Sequence, residues 1–562
     1  MRLATLIVLV LSMVCGPSSA QTGAPGADPV LRAMEDELQR STRELQFKDL
    51  EKPYFIQYTV LDEDEFSAEA TFGAITASDR NRDRALQVQV RVGDYDFDNS
   101  EFIVAGGFGG APSTGVLTTT VIENDYDAVR HALWLVTDTA YKQAVEQIAR
   151  KRAFVQNKVQ DDKIPDFSRE APVNAIAGRR TLEFDQAKWE KQLREWSAIF
   201  KSFPQIEQSS VSLNTRLTHR YLVNSEGTHT MQPGLIVSLQ AAALVQSPDG
   251  MVLSHSVPFN ATGFDQLPSA ETVSAAIRQL ATDLTAVRNA PVLSEDYSGP
   301  VLLVGQASAE MFARVLAPHL SGQRQPLSDR DQGTARSELS DRMNRTVLPR
   351  FLTVIDDPTE RRVGERELIG FYQVDDQGVP ARKVTLVQDG VLKDFLMSRR
   401  PSKERPQSNG HGRSGLPGRE AAQIGNLFVR ANDGKSFDEL KKSLIEMCKI
   451  ESLSHGILIK AIDPDGRGPL GTPILVYKVY VSDGREELVR GASVNALPVR
   501  SLRQMEAAGN DSYVANRLTG AANAATPVSV VAPSVLLEEM DLKRPTMAQQ
   551  KPALLTHPYF KP

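Results

Sequence analysis

The chain has 562 residues, of which 41% are hydrophobic and 24% charged, and its formal net charge is −6. That length exceeds what one hydrophobic core organises and implies two or three domains of ordinary globular composition. The small negative charge gives no support for nucleic acid as a partner, which would call for a basic surface.

The N-terminus pairs Arg2 with an apolar run over residues 3–14 and small Ser18 and Ala20. This pattern predicts a secretory signal over residues 1–20, cleaved after Ala20, and hence a periplasmic or secreted protein. The apolar run is too short to span a bilayer, and no later run qualifies, so the mature chain is expected to have no membrane span. Cys15 opens a lipid-attachment alternative, which the bulky Val14 before it disfavours. Cleavage leaves Cys448 as the one cysteine, which excludes an intrachain disulfide and a cysteine-cluster zinc site.

Residues 21–29 read as a Gly/Ala/Pro linker. Residues 28–45 read as a surface helix with an apolar row at Leu31, Met34, Leu38 and Leu45. Next comes a strand in strict alternation. Leu86, Val88, Val90 and Val92 point to a core, and Gln87, Gln89 and Arg91 to water. "GGFGG" at residues 106–110 lacks the Lys-Ser/Thr ending of a phosphate loop and reads as a flexible loop. Helices are expected over residues 125–158, over 185–200 with an Asp185 cap, and over 269–289 with a Ser269 cap. Strands lie between the last two, with turns at residues 224–227 and 248–250.

A break near residues 291–300 precedes the apolar strand "PVLLVG". From there to about residue 543 the chain reads as mostly β, with turns at "DDQG", "QDG", "NDG", "DPDG" and "SDG". One helix interrupts it, opened by a Ser436/Glu439 capping box. The expected fold class is α+β. An N-terminal α/β region with long helices spans 21–295, with a subdomain split near 100–125 as an alternative. A β-rich C-terminal domain spans 296–545, and a loose tail 546–562.

The order of seven stretches is informative. "NSEG" comes first, then "GPVLLVGQASAEMFARVLAPHLSG", "VIDDPT", "DDQGVPARKVTLVQDGVLKDFLMSRRP" and "SNGHGR". "RGASVNALPVRSLRQMEAAGND" and "VAPSVLLEEMDL" close the series. Together they resemble the TldD/PmbA family, also called the modulator-of-DNA-gyrase family, over about residues 215–542. The resemblance implies a C-terminal TldD/PmbA-type metallopeptidase-like domain. In the TldD branch it implies a zinc-dependent peptidase acting on peptides threaded into an enclosed dimer. There a helix bearing His-Glu-x-x-x-His and a cysteine from a later loop hold the metal, and the Glu takes a proton from bound water. The PmbA branch keeps the fold without the metal motif and is a partner subunit.

Aligned on the family's Leu-x-Gly at Leu320 and Gly322, the first histidine falls on Ala313, the glutamate on Arg314 and the second histidine on Pro318. The later loop, residues 518–534, contains no Cys, His, Asp or Glu. The expected reading is therefore a secreted pseudo-peptidase, a binding or partner subunit in a homodimer or in a heterodimer with a family relative, with no cofactor. Two alternatives stay open. One is an active metal-dependent peptidase using zinc at an unconventional site, with His319 and His411 as weak metal candidates. The other is a non-enzymatic periplasmic peptide-binding or structural protein.

His319 lies one helical step, about 100°, from the lost ligand and reads as a surface or capping residue. Pro318 is expected to disturb helical geometry at Ala317. His411 and Arg413, in "SNGHGR", lie where the family's substrate cleft would be. They are candidate peptide-binding residues, against the plainer reading of a mobile, solvated loop. Asp375 and Asp376 read as turn residues rather than a catalytic pair. "DPDGRG" at 463–468 reads as a plain turn, because Ile474 replaces the last calcium ligand of an EF-hand. Cys448 reads as a buried structural thiol. His131, His255, His455 and His557 show no ligand spacing, and His219 and His229 could meet across neighbouring strands.

Overall fold

The computed structural model describes residues 28–103, 115–156, 164–328, 337–466, 468–494, 496–520, 525–545 and 555. The signal segment with Cys15, the linker up to residue 27, "GGFGG", Arg467, His557 and most of the tail lie outside the described residues. No helix among the described residues is long and apolar enough to cross a membrane.

The N-terminal region is built on one seven-stranded sheet. Its strands are long: Phe55–Thr71, Ala74–Arg91, Ile206–Asn224 and His229–Gln246. The first two form a hairpin whose two-residue turn, Phe72-Gly73, has positive φ at both positions (43° and 84°). This is the turn geometry that matches strand twist. Helix α1 (Pro29–Glu44), capped by Asp28, and helix α2 (Tyr126–Val155), capped by Asp125, cover one end of the sheet. They pack on Val60, Leu86, Val88 and Tyr221. Helix α3 (Gln186–Ala198), capped by Asp185, and helix α4 (Ala270–Asn289), capped by Ser269, cover the other end over Phe66, Leu213 and Leu239. Helix α1 is thus more than a surface helix, since Leu31 and Met34 are fully buried.

The opposite sheet face corrects a sequence expectation. Gln87, Gln89 and Arg91 were expected in water, yet they are 2%, 6% and 2% exposed. Arg91 Nη1 donates to Asp98 (2.6 Å) and Ser100 (2.8 Å), and its guanidinium lies 3.7 Å from the Phe167 ring. Further along the strand Gly418 packs so closely on Gln87 that a Cβ there would stand 3.1 Å from its amide nitrogen. Chain distant in sequence covers this face, so its polar residues line a buried interface.

After residue 296 two six-stranded sheets share a core. One runs from Val391–Leu392 through Leu352–Asp356 and Asn426–Ala431 to Tyr513–Thr519. The other runs from Glu486–Val489 through His455–Asp463 and Tyr297–Leu303 to Met505–Ala508. Helix α5 (Gln306–Met311), buried from Ala307 onward, joins the core formed with both. Helix α6 (Phe437–Ile450) has the expected capping box and packs Leu440, Leu444 and Cys448 against Leu302, Leu458 and Leu536. Burial pushes the Cys448 thiol up to about 11, as for an inert structural cysteine.

Candidate functional site

The strand Tyr297–Leu303 delivers the chain into helix α5, which continues through a wide turn at Phe312–Leu316 and a tight turn at Ala317–Leu320. The wide turn matters chemically. Positions 313 and 318 are five apart, which on a regular α-helix places them about 140° from each other. Here Ala317 N–H bonds to Phe312 O, an i→i+5 closure that fits an extra residue into the turn and brings such positions towards one face. Such a widened turn is the kind of backbone device by which a His-x-x-x-x-His pair can share a face. Ala317 keeps helical dihedrals (φ −55°, ψ −40°). Pro318 therefore does not end the helical path at Ala317 as expected, because the chain had already widened ahead of it.

At these positions Ala313 is half-buried against the core, and Pro318 is exposed. Arg314 Nε lies 3.3 Å from Glu310 Oε2, and its Nη2 donates to the Pro464 carbonyl. Arg517, from the strand Tyr513–Thr519, places Nη1 3.0 Å from the same Glu310 oxygen. The Glu310 side chain is 5% exposed. Burial pushes its carboxyl above the usual range, opposed by the pull of Arg517 and Arg314. Burial also pulls the Arg517 guanidinium down.

Zinc takes thiolate, imidazole and carboxylate donors. This place offers an alanine, a proline and two guanidiniums clamped on one carboxylate. Among the described residues no group of three or more His, Cys, Asp or Glu could hold a metal ion. The residues present do not fit zinc. Sequence reasoning missed Glu310 and Arg517. Glu310 was legible as the i−4 partner of Arg314, but nothing local pointed to Arg517.

The other candidates lie elsewhere. His319 Nδ1 stands 3.2 Å from Ser337 Oγ, and burial lowers its pKa. His411 is 0% exposed, which corrects the expectation of a solvated loop. Its Nε2 is 3.1 Å from the buried Asp356 Oδ1, and its Nδ1 is 3.0 Å from Asn409 Oδ1. Both ring nitrogens are committed, so His411 has no free nitrogen for a metal, and it shares no partner with His319. Arg413 is also buried, with its guanidinium 4.1 Å from the Tyr372 ring and Nε 3.4 Å from Asp376.

Asp375 accepts N–H bonds from Gln377, Val379 and Gly412, the first two within a turn that Gly378 closes at φ +81°. Burial pushes its carboxyl up to about 7 against these donors. Asp376 faces Arg220 and Arg413 instead, so the two neighbours point apart. In the 463–468 turn Asp463 accepts from Asp465 N–H and Ser254 Oγ, both within the protein.

His219 and His229 do not meet. In register His219 faces Pro233, and His229 faces Val223. His219 Nε2 accepts the Arg180 N–H (3.0 Å), and His229 Nδ1 stands 2.8 Å from Glu35. His255 is buried, His131 lies tilted against the exposed Trp134, and His455 lies against Tyr297.

Residues 296–544 match the family model described as the PmbA/TldA metallopeptidase C-terminal domain. Among curated proteins, a metalloprotease of Archaeoglobus fulgidus is 30% identical over 206 residues, 35% of this chain and 44% of that protein. A metalloprotease of Methanothermobacter thermautotrophicus is 25% identical over 205 residues, 35% of this chain and 41% of that protein. The chain thus spans less than half the length of these curated relatives. Among solved structures, TldE of Thermococcus kodakarensis aligns with a TM-score of 0.58 at 14% identity, covering 91% of this chain and 100% of that one. A protein of Thermotoga maritima described as a modulator of DNA gyrase aligns with a TM-score of 0.59 at 16% identity, covering 90% and 99%. At these identities the structural matches carry the fold alone.

Proposed function

We propose, from the premise that this chain belongs to the TldD/PmbA family through its domain at residues 296–544, that it is a secreted pseudo-peptidase. In this reading it binds or partners within a metallopeptidase-type assembly, as a homodimer or beside a relative that keeps its metal. The observation that carries the proposal is the helix around Arg314. The family's ligand and base positions hold Ala313, Arg314 and Pro318, and the nearby charge is a guanidinium pair closed on Glu310. Two fixed cations there oppose a divalent ion by direct repulsion. Arg314, which stands where a base would, has no lone pair to accept a proton from water.

The names of the curated relatives support a peptidase-type ancestry, and a peptide remains the natural ligand class. Export is part of the proposal, resting on the N-terminal apolar run; an exported chain does not meet cytoplasmic gyrase.

The test is metal analysis of the purified mature chain, alone and co-expressed with a family relative from its own source. The proposal expects no stoichiometric zinc and no peptide hydrolysis by the chain alone. Zinc held at one per complex by a co-purifying relative would support the partner role. Stoichiometric zinc that disappears in His319→Ala or His411→Ala would overturn it in favour of an unconventional active site. A metal-free chain that purifies alone with bound peptides would favour a peptide-binding protein with no peptidase partner.

A further inference from the structure

Around Arg220, the seam where the C-terminal domain meets the polar face of the N-terminal sheet carries more carboxyls than guanidiniums. Arg220, on the strand Ile206–Asn224, crosses it. Its Nε lies 3.2 Å from Asp376 Oδ1, and its Nη2 donates to Ser414 O (2.9 Å). Asp376 is also held by Arg413 from the loop and by the Ser414 N–H (2.8 Å). One carboxylate between two guanidiniums pins the loop after residue 410 to the sheet.

Two more carboxyls crowd this contact. Glu63 shares the sheet face with Arg220, which pairs with Leu61 two residues before it. The nearest cation to Glu63 is Arg216, at 3.8 Å, and that guanidinium is closer to Glu65. Glu420, on the loop, accepts the Gly418 N–H (2.8 Å). Among the described residues neither Glu63 nor Glu420 has a cation at hydrogen-bond distance, while Arg220 Nη1 is buried without a partner there. Asp83 adds negative charge behind Glu63. Asp375 adds more below Asp376, though three backbone N–H groups hold it. A metal could balance such an excess, but among the described residues no cluster with metal-holding geometry is present. Protons are the remaining counter-charge.

We infer that this seam is a proton-operated latch: neutral Glu63 and Glu420 leave Arg220 to Asp376 and Ser414, and their ionisation loosens the loop over Arg413 and Tyr372. Ionised, both carboxylates compete for the Arg220 guanidinium, and Glu420 also repels Asp376. The residues uncovered are a guanidinium stacked on an aromatic ring, where an anionic ligand would be received. Burial acts in the matching direction. It pushes Glu63 up to about 7 and raises Glu420, each with the Arg220 charge pulling the other way. Groups raised in the closed state favour closure below the ordinary carboxylate range, and that advantage is lost as pH rises towards 7. The inference stands whether or not the chain is a partner subunit.

Hydrogen exchange of the whole mature chain between pH 5.5 and 8.5, corrected for intrinsic rates, tests it. Protection of the peptide covering residues 410–422 should fall by about tenfold or more across that range, the factor carried by a carboxyl shift of a unit or more. Protection of helix α6 should not change. The Glu63→Gln/Glu420→Gln double variant should lose most of that fall, the remainder being the share of Asp375, which also accepts the loop's Gly412 N–H, and Arg220→Met should be open at every pH. A flat wild-type profile, or an unchanged fall in the double variant, overturns the inference. Should the double variant lose protection in helix α6 as well, Glu63→Gln alone decides, and a wild-type profile there refutes the latch.

Discussion

Replacing Arg517 by alanine probes the clamp that stands near the family's metal position. Glu310 is 5% exposed and Arg517 is 18% exposed, and they meet at 3.0 Å. Removing one partner of a buried ion pair costs about 3–5 kcal/mol, because the other charge is left without compensation. Two features reduce that figure. Arg314 stays 3.3 Å from the same carboxylate, and Arg517 keeps some contact with solvent. We expect about 2–3 kcal/mol. For a domain of this size each kcal/mol moves the melting temperature by about 2–4 °C, so calorimetry at pH 7 should show a fall of roughly 5–10 °C. Pairing Arg517→Ala with Glu310→Gln in a double-mutant cycle should return a coupling of about 2 kcal/mol. The sign with pH follows from the raised Glu310 pKa. The attraction exists only while Glu310 is ionised, so wild type and Arg517→Ala should converge as pH falls through that pKa. A melting temperature within about 1 °C of wild type, a strictly additive cycle, or a gap that widens in acid would refute the reasoning.

Three further outcomes are expected. Ala313→His, Arg314→Glu and Pro318→His, combined with Arg517→Ala, should confer zinc binding measurable by equilibrium dialysis, because the i→i+5 turn is already in place; no zinc uptake by a folded variant would refute that reading of the turn. His411→Ala should destabilise the chain by about 2–4 kcal/mol in denaturant titration, since it leaves the fully buried Asp356 carboxyl with the Gly425 N–H alone, beside a void. His219 and His255, which burial pulls down to about 4, should titrate near that pH by NMR rather than near the usual imidazole value. Because the unfolded chain takes up these protons first, stability should fall as pH drops from about 6.5 towards 4, and His219→Gln should flatten part of that fall.

Much of this protein was legible in its residues because the relevant signals are local. Asp28, Asp125, Asp185, Ser269 and the Ser436/Glu439 box each cap a helix within three residues of themselves, and those helices stand where the caps placed them. The order of motifs sufficed for the family, and Ala313, Arg314 and Pro318 sufficed to question its metal. What remained needed partners far along the chain. Alternation along residues 86–92 separates two faces but cannot say that Gly418 and the 94–100 segment bury the polar one. His411 looked solvated in its Gly-rich loop until Asp356 closed on it. Arg517 reaches Glu310 from a separate strand, and Arg220 meets Ser414 across 194 residues. Capping and periodicity act over one turn or one pleat, so a single sequence encodes them openly. Burial and charge pairing depend on which distant surfaces close on one another, and only the tertiary structure decides that.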